Sequence, residues 1–167
     1  MYKRQQLGLV ALVLLISTLA CTPAQEALGW TWPARIRRTL GLFAFFYACL
    51  HFVTYVALDQ GLAWAALIQD VLKRNFILVG LLALVLMAPL AATSTQGMVR
   101  RLGFAKWKRL HRLAYASAVL GVIHFLWRVK KDRTQPAIYG AILLSLLAFR
   151  VWSALRKARE TNSANLA

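Results

Sequence analysis

FILVGLLALVLMAPLAATST, residues 76–95, is a run of twenty residues without a charged side chain. A helix needs about 20 mainly apolar residues to cross the hydrocarbon core of a bilayer, so this run predicts a membrane span. Four other apolar blocks flank it, and the five predicted spans are Leu7–Thr22, Thr39–Leu58, Phe76–Thr95, Leu110–Trp127 and Ile138–Leu155. The first is short at 16 residues, and the last reaches its length only by including Arg150. The predicted fold is an all-α polytopic membrane helix bundle with about five transmembrane helices.

The charged residues lie mainly between these blocks. All five acidic residues lie outside the predicted spans or at their ends, which argues against a carboxylate relay and therefore against a proton pump. They are Glu26, Asp59, Asp70, Asp132 and Glu160. The 21 Lys and Arg residues give a net charge of +16 but are spread over every loop. This distribution favours phospholipid headgroups, and not nucleic acid, as the partner of the charges.

Alternate loops differ in their number of basic residues. One side of the membrane collects thirteen Lys and Arg residues and the other collects eight. The positive-inside rule therefore predicts a cytoplasmic C-terminus and an N-terminus on the outside. A preceding helix that is missing from this sequence would explain an outside N-terminus that begins Met-Tyr-Lys-Arg. The alternative treats residues 1–21 as a secretory or lipoprotein signal with Leu19-Ala20-Cys21 as its cleavage box. It would place the N-terminus inside and the basic loop around Lys106 outside, against the positive-inside rule.

Two loops predict helices that lie on the membrane surface. GLAWAALIQDVLKR, residues 61–74, is typical of an amphipathic helix on the outer surface, with Trp64, Leu67 and Leu72 facing lipid. GMVRRLGFAKWKRLHR, residues 97–112, is its basic inner counterpart. A headgroup anchor is the favoured interpretation of the inner segment, with a docking face for a redox donor as the alternative.

All three histidines, His51, His111 and His124, lie in an apolar block or at its edge. An ionisable side chain within a membrane is costly to desolvate and by default marks a functional site. Neutral imidazole is a common axial ligand of haem iron, and two helices that each offer one histidine can hold a haem between them. The alternative is a polar contact between helices, with hydroxyl partners such as Thr54 or Ser117.

Depth in the membrane decides which histidines can share a ligand. Measured from the cytoplasmic ends of their spans, His51 lies about 18 Å deep and His124 about 21 Å deep. His111 lies at the cytoplasmic edge, about 20 Å below His124, where the second span offers Arg37 or Arg38 and no histidine. The spacing predicts one bis-histidine haem b site between the second and fourth spans, toward the outer leaflet. His111 is left open as a further ligand or an interfacial residue.

Three arginines are candidates for binding anionic groups at the cytoplasmic edge. Arg37, Arg38 and Arg150 carry guanidinium forks that match the oxygens of haem propionates or of a flavin phosphate. For each of them singly, snorkelling to lipid phosphate is the favoured interpretation.

Proline and cysteine have simpler explanations. Pro89 predicts a kink in the third span because it removes a backbone hydrogen bond. Cys21 and Cys49 share no CxxC spacing and are predicted to be small packing residues. Without a CxxCH motif, covalent attachment of a c-type haem is excluded.

Three segments carry a family resemblance: RRTLGLFAFFYACLHFVTY (37–55), TSTQGMVRRLGFAKWKRLHRLAY (93–115) and IHFLW (123–127). They resemble MsrQ, the haem-binding membrane subunit family of the bacterial methionine sulfoxide reductase system, within the ferric-reductase-like transmembrane superfamily. The likeness spans roughly residues 35–157. It implies that His51, His111 and His124 stand where the family has its haem-ligand histidines. It also implies a transmembrane haem-binding domain over residues 1–157, a polar cytoplasmic tail over 158–167, and a family pattern of six helices whose first is missing here.

The function implied by the resemblance is electron transfer in the bacterial inner membrane. A b-type haem and a flavin mononucleotide (FMN) would serve a periplasmic molybdopterin-containing reductase that repairs oxidised methionines. The expected donor is the quinone pool or a separate flavin reductase, because no nucleotide-binding domain follows the last helix. The chain is thus predicted to be an electron-transfer subunit rather than a complete catalyst. The alternative function is a transporter, channel or structural membrane protein that uses its histidines as polar helix contacts.

Overall fold

The computed structural model describes residues 2–164, with side chains from residue 5 to residue 163. Over this range the chain is helical without strands, which confirms the predicted all-α bundle. The α-helices are α1 (Tyr2–Leu28), α2 (Trp32–Thr54), α3 (Trp64–Lys73), α4 (Asn75–Ala92), α5 (Gln96–Leu102), α6 (Phe104–Leu110), α7 (Leu113–Arg128) and α8 (Thr134–Ala164). A π-helical segment, Tyr55–Asp59, continues α2. The end of the predicted polar tail, residues 165–167, and the side chains of Lys3 and Arg4 lie outside the described residues.

Five helical stretches among the described residues are long and apolar enough to cross a membrane, as predicted. They are Gln5–Leu28, Trp32–Asp59, Asn75–Ala92, Phe104–Arg128 and Thr134–Ser163. The predicted first and last spans were too short, since these stretches have 24 and 30 residues. An apolar block marks only the part of a helix that lipid surrounds, whereas the helix itself continues into the polar interface. There, Lys157 of α8 forms an ion pair with Glu26 of α1 at 2.8 Å.

Two helix pairs form the centre of the bundle: α1 lies along α2, and α4 lies along α7. The buried core draws residues from α1, α2, α4, α7 and α8: Leu12, Leu15, Ile16, Leu19, Ala44, Met87, Ala118, Val122 and Leu143. Leu19, which belongs to the alternative cleavage box, is 1% exposed in this core. Large apolar side chains such as Phe43, Val85 and Leu144 are exposed on the outside, as lipid contact requires.

The surface helix predicted over residues 61–74 is α3. Trp64 and Leu72 are exposed, as predicted for residues that face lipid, but Leu67 is 8% exposed and the prediction for it was wrong. Leu67 lies three residues before Asp70, so both residues share the face of α3 that turns toward the bundle.

The basic segment of residues 97–112 forms two short helices and not one. Gly103, with a φ of 76°, adopts a left-handed conformation that glycine tolerates without strain, and it separates α5 from α6. Trp107 Nε1 of α6 donates to the carbonyl of Thr93 at 3.0 Å, which holds this segment against the end of α4.

Pro89 lies inside α4, three residues before the helix ends. Its own carbonyl accepts hydrogen bonds from the Thr93 backbone N–H at 3.0 Å and the Thr93 hydroxyl at 2.6 Å. The helix therefore remains continuous through the proline. Cys21 is buried and Cys49 half-buried, both as free thiols.

Candidate functional site

The side chains of His51 and His124 meet inside the bundle. The centroids of their imidazole rings are 6.3 Å apart, and the ring planes are inclined at 75°. His51 belongs to α2 and His124 to α7, so each helix contributes one imidazole. The structure thus brings together the two histidines whose predicted depths in the membrane match.

A cavity of about 1280 Å³ surrounds the two imidazoles. It exceeds the roughly 300–1,000 Å³ typical of ligand pockets, so it can enclose a large flat cofactor. Helices α1, α2, α4 and α7 supply its walls, with apolar side chains that include Leu12, Ala48 and Met87. The polar lining lies largely at the end where α3 and the α7–α8 loop meet the bundle: Gln60, Asp70, Arg74, Arg128, Lys130 and Asp132.

A hydrogen bond fixes the orientation of His124. Its Nδ1 lies 2.6 Å from the backbone carbonyl oxygen of Phe76 in α4. A carbonyl oxygen can only accept, so Nδ1 carries a proton, and in the neutral imidazole Nε2 then keeps its lone pair. Metal-binding histidines commonly have this arrangement, in which the bond fixes the tautomer and makes the imidazole a stronger ligand.

The two hydroxyl groups considered as partners of the histidines bond elsewhere. Ser117 Oγ donates to the carbonyl of Ala83 at 2.9 Å and so links α7 to α4. Thr54 Oγ1 donates to the backbone carbonyl of His51 at 2.9 Å, within its own helix. Both hydroxyls therefore donate to backbone carbonyls and not to the imidazole rings.

The ligand set of this site is small. Among residues 5–163, no group of three or more His, Cys, Asp or Glu residues is arranged to hold a metal ion. Two imidazoles in an apolar cavity fit a prosthetic group that supplies the other metal ligands itself. Haem meets this description, because its iron needs only axial ligands from the protein.

Residues 7–122 match the protein family described as the ferric reductase like transmembrane component. The chain is also 52% identical over 156 residues to the "Protein-methionine-sulfoxide reductase heme-binding subunit MsrQ" of Rhodospirillum rubrum, covering 93% of this chain and 75% of that protein. The chain belongs to the MsrQ family. Its identity to the MsrQ protein of Ralstonia nicotianae is 50%, over 92% of this chain and 71% of the relative. Its identity to MsrQ of Deinococcus radiodurans is also 50%, over 84% of this chain and 69% of the relative. This chain is therefore a multi-pass membrane subunit of a redox system.

His111 of this MsrQ-family chain does not join the other two histidines. It lies between α6 and α7 and is not one of the described residues that line the cavity. Its ring centroid is 4.0 Å from that of Trp107, and its Nδ1 lies 3.1 Å from the Trp107 carbonyl oxygen. His111 is thus half-buried against α6 at the opposite end of α7 from His124.

The three candidate arginines also lie away from the cavity. Arg37 donates to the hydroxyl of Thr22 at 3.2 Å, and Arg38 is exposed. Arg150 donates to the hydroxyl of Tyr115, with its guanidinium carbon 4.9 Å from the centre of the Tyr115 ring. The basic side chains that do line the cavity are Arg74, Arg128 and Lys130, which lie toward its α3 end.

Sequence reasoning missed a polar cluster at that end of the cavity. Asp70 of α3 accepts hydrogen bonds from the Tyr55 hydroxyl at 2.7 Å and the Gln60 amide at 3.0 Å. Its other carboxylate oxygen is 2.7 Å from Arg74 Nε. The spacing of Asp70 and Arg74 was a visible signal of an ion pair, since residues four apart are neighbours on a helix. The π-helical segment that carries Tyr55 left no comparable signal in the sequence.

Proposed function

We propose that this chain binds haem b between His51 and His124 and serves as the electron-transfer subunit of a protein methionine sulfoxide reductase. The observation that carries the proposal is the pair of imidazoles, 6.3 Å apart, in an apolar cavity. A bond from a metal to an imidazole nitrogen is about 2 Å long, so this separation has room for one iron between the two rings. The names of the relatives, as heme-binding subunits of such a reductase, support both parts of the proposal.

The residues around the cavity have distinct tasks in this proposal. Haem supplies one-electron redox chemistry when bound, and the protein supplies its ligands and its surroundings. His124 presents Nε2 because the Phe76 carbonyl holds the proton on Nδ1. The apolar walls exclude water, which favours a rigid, low-dielectric site for electron transfer. Arg128 and Lys130, which line the cavity, would supply positive charge for the carboxylates of a bound haem, whereas Arg74 is already paired with Asp70.

The remaining parts of the electron path belong to the same proposal. His111, with Arg37, Arg38 and Arg150 on the same side of the bundle, is proposed to serve a further cofactor at the cytoplasmic end, with FMN as the candidate. The donor would be the quinone pool or a separate flavin reductase. The acceptor would be a periplasmic molybdopterin-containing subunit, and the chain would lie in the inner membrane with its C-terminus in the cytoplasm.

Replacement of the two ligands tests the haem site. The purified His51→Ala and His124→Ala proteins should each lose the Soret band typical of haem with two imidazole ligands, because the single remaining imidazole leaves the iron without its second axial ligand. Leu144→Ala, at an exposed position on α8, is the control and should keep the band. If the alternative of polar helix contacts were right, neither the wild-type chain nor any variant would take up haem from solution.

The same experiment separates one haem site from two. His111→Ala should retain the spectrum of the site between His51 and His124, since His111 does not line that cavity. Equal loss of haem from all three histidine variants would contradict the proposal of one haem between α2 and α7.

A further inference from the structure

Each of the two paired histidines lies against a glycine of a neighbouring helix. A Cβ atom on Gly80 of α4 would lie 2.6 Å from His124 Nδ1 and 2.8 Å from its Cε1. A Cβ atom on Gly8 of α1 would lie 3.1 Å from His51 Cε1 and 3.2 Å from its Nδ1. The distances at Gly80 are shorter than real Cβ atoms show, so something would have to shift. The distances at Gly8 would require the His51 ring to move by a few tenths of an ångström. The two imidazoles therefore occupy space that glycine leaves open.

Gly80 also lies beside the path by which His124 Nδ1 reaches the Phe76 carbonyl oxygen. Phe76 is four residues before Gly80 in α4, and the regular helical pattern pairs the Phe76 carbonyl with the Gly80 N–H. The Cα–Cβ bond of a helical residue tilts toward the N-terminus, so a side chain at position 80 would stand beside that carbonyl. Because Gly80 has no side chain, His124 Nδ1 approaches the same oxygen to 2.6 Å. The oxygen has two lone pairs and can accept from both donors.

Close packing of helix backbones is the usual role of glycine in membrane helices, but at these two positions the nearest neighbour is a side chain and not a backbone. The three atoms nearest to the built Cβ are imidazole atoms at Gly80 and at Gly8. Gly41 of α2 provides the contrast, because a Cβ there would meet only the side chain of Thr18 at an ordinary 3.8 Å. Alanine is the better helix former at all three positions, so local propensity does not favour glycine at any of them.

We propose that Gly80 is a positioning residue for the haem ligand His124, and that Gly8 has the corresponding but weaker role for His51. Gly80 opens the Phe76 carbonyl to Nδ1, and this bond leaves Nε2 as the nitrogen that binds iron. The inference rests on the proposed function, because it assigns the glycines to the same haem site.

Three alanine variants of the full chain, purified and loaded with haem, test the inference. Gly80→Ala should bind haem about 10- to 100-fold more weakly, which is the usual cost of losing a partner that orients a metal ligand. The haem that remains should have a higher midpoint potential, because an imidazole without its Nδ1 bond is less basic and stabilises ferric iron less. Gly8→Ala should show smaller changes, and Gly41→Ala should match the wild type in affinity and potential. Equal affinities and potentials for Gly80→Ala and Gly41→Ala would overturn the inference.

A second pair of variants separates ligand positioning from damage to the fold. His124→Gly should lose the spectrum of haem with two imidazole ligands and regain it when imidazole is added, because free imidazole can fill the vacated space. His124→Gly combined with Gly80→Ala should also regain it, but at a higher imidazole concentration, because free imidazole is not tethered to α7 and can shift away from the added Cβ. If the double variant does not recover at any imidazole concentration and has also lost the helical circular dichroism of the wild type, Gly80→Ala disrupts the bundle and the positioning role is rejected. A wild-type spectrum of His124→Gly without imidazole would instead reject the ligand assignment in the proposed function.

Discussion

His51 and His124 face one cavity but are held in different ways. The His124 ring is fixed by a hydrogen bond to the Phe76 carbonyl and by the space at Gly80, so its rotation and its tautomer are both restricted. The backbone at His51 is held by α2, whose last turn runs into a π-helical segment that begins at Tyr55. Single π-helical turns are frequent at functional sites, because they change the direction of nearby side chains.

The depth of each histidine could be read from the sequence, because the rise per residue along a helix is fixed. That argument was enough to select His51 and His124 as the pair. The contributions of Phe76 and Gly80 could not be read in the same way. A glycine within an apolar run carries no signal of its partner, and a backbone carbonyl carries none at all. Both depend on the rotation of α4 relative to α7, which packing decides.

His111→Ala tests the inner half of the electron path. His111 lies just before the start of α7, about 20 Å from His124 at the helical rise, so electrons from a donor on that side would need a further redox centre. We expect full haem content at the His51–His124 site but slower haem reduction by added quinol, without NADPH. Stopped-flow absorbance measures this rate, and Arg112→Ala, at the adjacent exposed position, serves as the control. Unchanged kinetics in His111→Ala would show that His111 is only an interfacial residue that packs on Trp107.

The number of membrane helices was predictable at the level of elements, but their ends were not. Apolar blocks identify the lipid-buried part of each span, so five blocks gave five candidate spans. Helix α8 runs from Thr134 to Ala164, well past the predicted end at Leu155, because backbone hydrogen bonds continue the helix into polar sequence. The predicted tail from residue 158 thus begins as helix. For Leu67, amphipathic periodicity identified α3 correctly but could not decide which of its apolar residues turns toward the bundle.

The hydrogen bonds and the ion pair of Asp70 predict what stabilises α3 against the rest of the bundle. A ten-residue helix is too short to be stable alone, so its order depends on tertiary contacts. Asp70→Ala removes the acceptor for Tyr55 and Gln60 and the ion pair with Arg74. Hydrogen bonds to a charged group contribute about 1.5–3 kcal/mol, so amide exchange in residues 64–73 should become about 10-fold faster or more.

Hydrogen-exchange mass spectrometry of the protein in nanodiscs measures this effect. Asp132→Ala is the matched control, because its carboxylate accepts from the Thr134 N–H at 2.9 Å at the start of α8, and α3 should be unaffected by its loss. Exchange in α3 that stays at the wild-type rate in Asp70→Ala would mean that Leu67, and not the polar cluster, holds the helix.

The whole molecule is asymmetric across the membrane. The two paired histidines, the polar cavity lining and α3 lie toward one end, whereas His111, Arg37 and the two short basic helices lie toward the other. A redox centre near one surface can exchange electrons directly with a partner on that side only. The orientation of the chain in the membrane therefore decides which compartment holds the acceptor, and the loop charges predict that this compartment is outside the cytoplasm.

Cysteine labelling tests this orientation directly. Gln135 at the start of α8 and Lys106 in α6 are both exposed and lie at opposite ends of the bundle. A membrane-impermeant maleimide applied to intact cells should label Gln135→Cys and should label Lys106→Cys only after the inner membrane is permeabilised. Cys21 is buried and Cys49 half-buried within predicted spans, so background labelling should be low. A reporter fused after Ala167 should be active in the cytoplasm. The reverse pattern would put the histidine pair beside the cytoplasm, where it could not serve a periplasmic reductase directly.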